Sequence, residues 1–287
     1  MKKVWIYNII FFLIFSCSTK DFENKSKEND TVVSQNNSSS EKSVDPDINI
    51  LNKKFNTIEK KKFDNGLIIE WYQKGDGAEL KNGDVVQIDY KVELNNGKIV
   101  DGNQLLNRKS LPFIIGYGMQ TKGWDIALKE LKVGDFARIL IPSPLARGEV
   151  GVKGLIPKNA DNYLYIRILE KVNPIRTIDG CKVWLFEENK SNTVKFNRNN
   201  RIVMHAMVST PSSPLFVNTY RQNKPFSFQF SDNGVVPGLK KSLINSKKAD
   251  RMYILVPSKE AYGSEGYLDF VKPNEDVFYN IFVMDVQ

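Results

Sequence analysis

The chain offers few groups that make or break covalent bonds. His205 is the only histidine. It alternates with the apolar Met204 and Ala206, a phase that predicts a surface or partly exposed position. No Ser/His/Asp or Cys/His arrangement can be assembled, and metal-ligand spacing is absent. The Gly-rich stretches lack the lysine and spacing of a phosphate loop. Hydrolysis by a catalytic triad, metal chemistry and nucleotide binding are therefore poor readings. What the sequence does offer is aromatic. Trp124, Leu128 and Leu131 fall at i, i+4 and i+7, which predicts a short helix with one buried face. A tryptophan in the first turn of such a helix, turned toward a sheet, is a natural floor for a small apolar pocket.

The surrounding elements are those needed to hold that floor. Phe113, Ile114 and Ile115 end a strand, and a Gly-rich turn leads to Gly123-Trp124. Val133-Gly134-Asp135 stops the helix, a strand follows from Phe136 to Ile141, and Pro142 ends it. The stretch occurs twice. Phe113 and Phe228, Gly123 and Gly238, Leu128 and Leu243, Pro142 and Pro257, and Gly148 and Gly263 all differ by 115. A constant offset across a helix and two loops indicates a duplicated domain rather than a solenoid. Upstream, Val86, Ile88, Tyr90, Val92 and Leu94 alternate with polar residues as a half-buried strand; Ile202, Met204, Ala206 and Val208 repeat it. Each copy reads as several antiparallel strands with one short helix, an α+β arrangement.

The ordered pieces LPFIIG (111–116), KGWDIAL (122–128), LKVGD (131–135), IPSPLARG (141–148) and GLIP (154–157) resemble the FKBP-type peptidyl-prolyl isomerases. KPFSFQF (224–230), VVPGL (235–239) and VPSKEAYG (256–263) are the matching pieces of the second copy. The resemblance spans roughly residues 60–287 and implies two tandem FKBP-like domains, assigned here to 56–174 and 175–287. Each would be a curved antiparallel sheet packed on one short α-helix, with the pocket between helix and sheet. The implied reaction is cis/trans isomerisation of X–Pro bonds, which requires no cofactor. Its obstacle is an amide barrier of roughly 18–20 kcal/mol. An apolar pocket lowers it by favouring the twisted amide, and millisecond turnover requires a reduction of about 5–7 kcal/mol.

Carried over position by position, the resemblance assigns catalytic roles in the first copy to Tyr90, Asp101, Phe113, Trp124, Ile156 and Leu164. Leu111 and Arg147 are implied substrate contacts, Leu111 replacing a phenylalanine and Arg147 the tyrosine that would hold a peptide carbonyl. Arg147 either donates in place of that hydroxyl or points to solvent. Val100, Gln120 and Thr121 also depart from the pattern. In the second copy Phe216, Phe226, Phe228, Val235, Val236, Tyr262 and Tyr279 match pocket positions. Leu239 replaces the floor tryptophan, Ala206 the strand tyrosine and Val217 the aspartate. Core packing is the competing explanation for all these aromatics. Two functional readings follow: an isomerase acting on exported or envelope proteins, with the first domain as catalyst; or a non-catalytic peptide-binding, chaperone or assembly module with degenerate pockets. Some family members that are lipoproteins of gliding bacteria resemble this architecture, which extends the second reading to surface or motility machinery.

The formal net charge is +8, with bases and acids interspersed, which argues against nucleic acid as a partner. Lys2 and Lys3, an apolar run from Ile6 to Phe15 and Ser16-Cys17 form a signal-peptide pattern over residues 1–17. The run is too short to span a bilayer. Its ending resembles a bacterial lipobox, so Cys17 is the expected lipidation site and membrane anchor; an ordinary signal peptide with an incidental cysteine is the alternative. Residues 18–55, rich in Ser, Asn, Lys, Glu and Asp, read as a disordered tether. Cys181, in an apolar strand, reads as a small buried hydrophobe. The expected setting is the bacterial cell envelope, the expected partners are proline-containing exported polypeptides, and the expected state is monomeric.

Overall fold

The computed structural model describes residues 55–287. The leader, Cys17 and all of the expected tether except Phe55 lie outside the described residues. Residues 56–287 form one compact unit containing two seven-stranded antiparallel sheets.

The first sheet runs through β1 (Glu59–Lys62), β2 (Ile68–Gln73), β3 (Val85–Leu94), β4 (Ile99–Gly102), β5 (Leu111–Ile114), α1 (Lys122–Leu128), β6 (Phe136–Ile141) and β7 (Asn162–Lys171). Its order is β1-β2-β6-β7-β3-β4, with β5 also paired to β3. The second comprises β8 (Arg176–Ile178), β9 (Cys181–Glu187), β10 (Arg201–Ser209), β11 (Val217–Asn218), β12 (Phe226–Gln229), α2 (Pro237–Leu243), β13 (Arg251–Val256) and β14 (Val277–Val286). Its order is β11-β10-β14-β13-β9-β8, with β12 paired to β10. Each sheet carries one helix, α1 between β5 and β6 and α2 between β12 and β13. The duplicated α+β architecture read from the sequence is thus present; β1, whose four residues are all exposed, had no apolar pattern to announce it.

Strand β3 shows why the sequence folds this way. From Ile88 to Leu94, residues alternate between buried and half-buried, and the apolar members all point to one face. Helix α1 has seven residues and no side-chain cap, too few to persist alone. Burial holds it: Trp124 and Leu128 are almost fully covered, each contributing about 1.5–3 kcal/mol. Leu131, expected on the helix, lies just beyond it and is buried as well. A Cβ on Gly123 would stand 2.3 Å from Ile141 Cγ2, and one on Gly238 would stand 2.5 Å from Val256 Cγ1 and 2.8 Å from Cys181 Sγ. Both helices therefore enter at a distance only glycine permits, and Cys181 is the buried small residue it was expected to be. After each helix a buried aspartate ties the chain down. Asp135 accepts from Trp71 Nε1 at 2.9 Å and Lys132 N at 3.0 Å, and Asp250 accepts from Lys247 N at 2.8 Å.

The two sheets differ in what covers the face away from their helices. In β10 the buried residues run without a break from Met204 to Ser209. Tyr253 and Leu255 of β13 and Phe278 of β14 are buried on that same outer face. The first domain contributes to the cover. Tyr253 donates its hydroxyl proton to Pro112 O at 3.0 Å, Tyr117 packs on Phe278 with centroids 5.8 Å apart, and Trp184 Nε1 donates to Val172 O at 2.9 Å. His205 is accordingly not at the surface, contrary to the expectation from alternation. It is 7% exposed, stacks on Tyr220 at 4.3 Å, and its Nδ1 lies 2.9 Å from Thr219 Oγ1. Alternation marks a polar face only where that face meets water, and here it is covered.

Candidate functional site

Strand register gathers most of the first-copy residues. Cross-strand partners share a face. Val92 pairs with both Asp101 and Leu164, Ile88 with Leu111, and Val86 with Phe113. Tyr90 lies between Ile88 and Val92 on that face, so Tyr90, Asp101, Leu111, Phe113 and Leu164 converge on the helix-facing side of the sheet. Trp124 closes it from α1. Its ring meets Tyr90 edge-on with centroids 5.1 Å apart and stacks on Phe113 at 5.5 Å. Trp124, the expected floor, thus belongs to a three-ring cluster with Tyr90 and Phe113. All three rings are buried, so this cluster is continuous with the core.

One polar pair stands in this apolar wall. The Tyr90 hydroxyl donates to Asp101 Oδ1 at 3.0 Å, and Gly102 N donates to the same oxygen at 2.8 Å. Burial holds both groups above their ordinary pKa ranges. For Tyr90 the neighbouring Asp101 charge adds to the effect; for Asp101 the two hydrogen bonds oppose burial without overcoming it. Asn103, which the sequence reading missed, fixes this strand. Its Oδ1 accepts from Tyr90 N at 3.0 Å and its Nδ2 donates to Ile88 O at 3.4 Å. Its place just after the strand-ending Gly102 was the available signal.

The rim is where this chain departs from the pattern it resembles. Arg147 Nη2 donates to Gln120 Oε1 at 3.2 Å, so the two replacements flagged in the sequence are partners. Arg147 is half-buried and does not project freely into solvent. Desolvation lowers its pKa, Asp101 counteracts this and Arg221 of the second domain reinforces it. Ile156 is buried at the tip of the same loop, where its backbone pairs with Val152. Thr121 precedes α1 with its hydroxyl buried and without a partner.

The second copy gathers its residues in the same way. Ile202 pairs with Phe228 and Met204 with Phe226, while Val208 pairs with both Tyr279 and Val217. Phe228, Val235, Val236, Leu239, Tyr279 and Ala206 share one buried cluster, with Phe216 and Tyr262 packed against it. Here Leu239 and Ala206 fill positions that Trp124 and Tyr90 hold in the first copy, and Val217, paired with Val208, stands where Asp101 pairs with Val92. Burial pushes the Tyr279 hydroxyl far above its ordinary range. The edge of this cluster is aromatic: Phe216 stacks on Phe270 at 5.6 Å and Tyr262 on Tyr267 at 4.8 Å. Phe226, Tyr267 and Phe270 are exposed. Phe270 and Tyr267 were not among the expected residues; they follow the AYG segment, where the sequence shows only a loop.

Comparison with known proteins agrees with this geometry. The family model of the FKBP-type peptidyl-prolyl cis-trans isomerases matches residues 77–169 and 192–284. The chain is 41% identical over 108 residues to FK506-binding protein 4 of Rhizopus delemar, covering 38% of this chain and 28% of that protein. It is 23% identical over 231 residues to the peptidyl-prolyl cis-trans isomerase FKBP10 of Mus musculus, covering 77% of this chain and 38% of that one. FK506-binding protein 1 of Saccharomyces cerevisiae is 43% identical over 108 residues, which is 37% of this chain and 91% of that protein. The chain thus spans well under half the length of the first two relatives. Two successive matches, one on each sheet and its helix, mean that the chain belongs to the FKBP-type peptidyl-prolyl cis-trans isomerase family, with two tandem FKBP domains.

Proposed function

We propose that the first domain isomerises X–Pro bonds of exported or envelope polypeptides and that the second binds client chain without catalysing. The observation that carries the first half is the Trp124 floor between Tyr90 and Phe113, with the Tyr90–Asp101 pair beside it. A proline ring seated on Trp124 leaves its amide in a dry setting, where loss of resonance is less costly because the twisted amide is the less polar state. Arg147 supplies a donor for a client carbonyl, in the place of the missing tyrosine hydroxyl. No proton transfer and no covalent intermediate is needed.

For the second domain, the supporting observation is an aromatic edge beside a wall in which Val217 stands where the first domain has Asp101. Phe226 and Phe270 are 39% and 44% exposed, and Leu239 stands in place of a floor ring. Such a surface holds apolar segments but gives no orientation to a prolyl amide. The location rests on the sequence alone: Lys2, Lys3, the Ile6–Phe15 run and Cys17 support lipid anchoring in the envelope. Labelling with a radioactive fatty acid, retained by the full chain and lost in Cys17→Ser, tests the anchor.

The test of function is the cis/trans exchange rate of a short Xaa-Pro peptide in the presence of residues 56–287. Exchange many-fold faster than the uncatalysed timescale of roughly 10–100 s supports the enzyme reading. Unaccelerated exchange, with suppression of client aggregation retained, would leave binding as the whole activity.

A further inference from the structure

The segment joining β5 to α1 is held from two sides. On the inner side, Gly118 N donates to Asp125 Oδ2 at 3.0 Å, and Ile114 N contacts Met119 Sδ at 3.5 Å. On the outer side lies the second domain. Tyr117, 3% exposed, packs its ring on Phe278 at 5.8 Å, and Phe278 in turn meets Tyr253 at 5.0 Å. A Cβ on Gly118 would lie 2.3 Å from Pro214 Cβ, and the positive φ of +61° there is one that glycine adopts without strain. Two residues further on is Gln120, the partner of Arg147.

We propose that the second domain positions the rim of the first domain's pocket: Phe278 and Pro214 brace the Tyr117–Gly118 turn, which sets Gln120 and through it Arg147. The second domain is then part of the first domain's site rather than a neighbour on a linker. The path is a continuous series of packed contacts, from β14 through one turn to the guanidinium. The electrostatics agree, since Asp276 and Glu275 of the second domain act on the Tyr117 hydroxyl and Arg221 acts on Arg147. Phe278 and Pro214 touch no substrate in this scheme; they are positioning residues. The inference rests on the isomerase reading of the first domain.

The test is a double-mutant cycle in residues 56–287, scored on KM and kcat for a prolyl peptide. Phe278→Ala is expected to raise KM several-fold with kcat changed less, and Phe278→Leu to restore most of the loss. Pro214 is exposed, so Pro214→Gly provides a variant whose folding is not at issue; it is expected to raise KM in the same direction. In a Gln120→Ala background neither substitution should have a further effect, because the relay is already cut. Equal effects with and without Gln120, or an unchanged KM in both Phe278→Ala and Pro214→Gly, would overturn the inference while leaving the isomerase reading intact. A parent protein without isomerase activity would end both.

Discussion

Tyr90 donates its hydroxyl proton to a carboxylate, that of Asp101, at 3.0 Å inside a wall otherwise made of rings and aliphatic chains. Burial raises the Asp101 pKa despite two hydrogen bonds, so the ionised group costs stability. The sign follows from linkage: a carboxyl whose folded pKa exceeds its unfolded value stabilises most below the unfolded pKa, and loses that contribution as pH rises through the folded one. Relative to Asp101→Asn, the parent should therefore lose stability from about pH 4 upward, and the difference should level off once Asp101 is ionised. Chemical denaturation of both proteins between pH 4 and 8 checks this. The Asn variant should be at least as stable at pH 7 and yet poorer as an isomerase.

Arg147 reaches Gln120 with one guanidinium nitrogen, and in the proposed function its remaining N–H groups serve a client carbonyl. Arg147→Ala should lower kcat/KM by about tenfold, equivalent to about 1.4 kcal/mol of lost interaction. Arg147→Lys should not restore it, since an ammonium cannot keep the Gln120 bond and present a second planar donor at once. Steady-state kinetics on one prolyl peptide distinguishes these outcomes.

Gly123 sits where α1 meets β6, with no room for a methyl group between Ile141 and Leu145 O. Gly123→Ala should push the helix start, and Trp124 with it, away from the sheet. The expected cost is about 1–3 kcal/mol in denaturant unfolding, together with a change in Trp124 fluorescence. Gly234, which has no positive φ and nothing near its Cβ position, is the control for steric crowding.

His205 is covered by Tyr220 and bonded to Thr219, and burial depresses its pKa. For a base shifted down, the stability contribution is full above the unfolded pKa, near 6.5, and is lost as pH falls through the folded pKa. The parent should thus lose stability between neutrality and pH 5 relative to His205→Gln. A parallel pH dependence of the two would mean that the ring is hydrated.

Much of this was legible in the sequence, and the limits have physical causes. The alternation from Val86 to Leu94 reveals β3 because one face meets water and the other does not. The 115-residue offset reveals two domains because the tight helix entries at Gly123 and Gly238 demand the same residue twice. The pairing of Arg147 with Gln120 was not legible, since 27 residues separate two departures that no local pattern joins. His205 and Phe278 misled or stayed silent for a related reason. Periodicity tells which side of a strand is apolar, but not that a second domain lies against the other side. The core and the expected pocket wall are one and the same face, so periodicity alone does not separate a floor at Trp124 from core packing.

The central claim is that catalysis belongs to the first domain and rests on Trp124. The most direct measurement compares prolyl exchange rates of residues 56–287 with those of Trp124→Ala and Leu239→Ala. The account predicts that Trp124→Ala loses at least about tenfold in kcat/KM, or 1.4 kcal/mol, while Leu239→Ala keeps the parent rate on a short peptide. Full activity in a folded Trp124→Ala protein, or loss confined to Leu239→Ala, would contradict it.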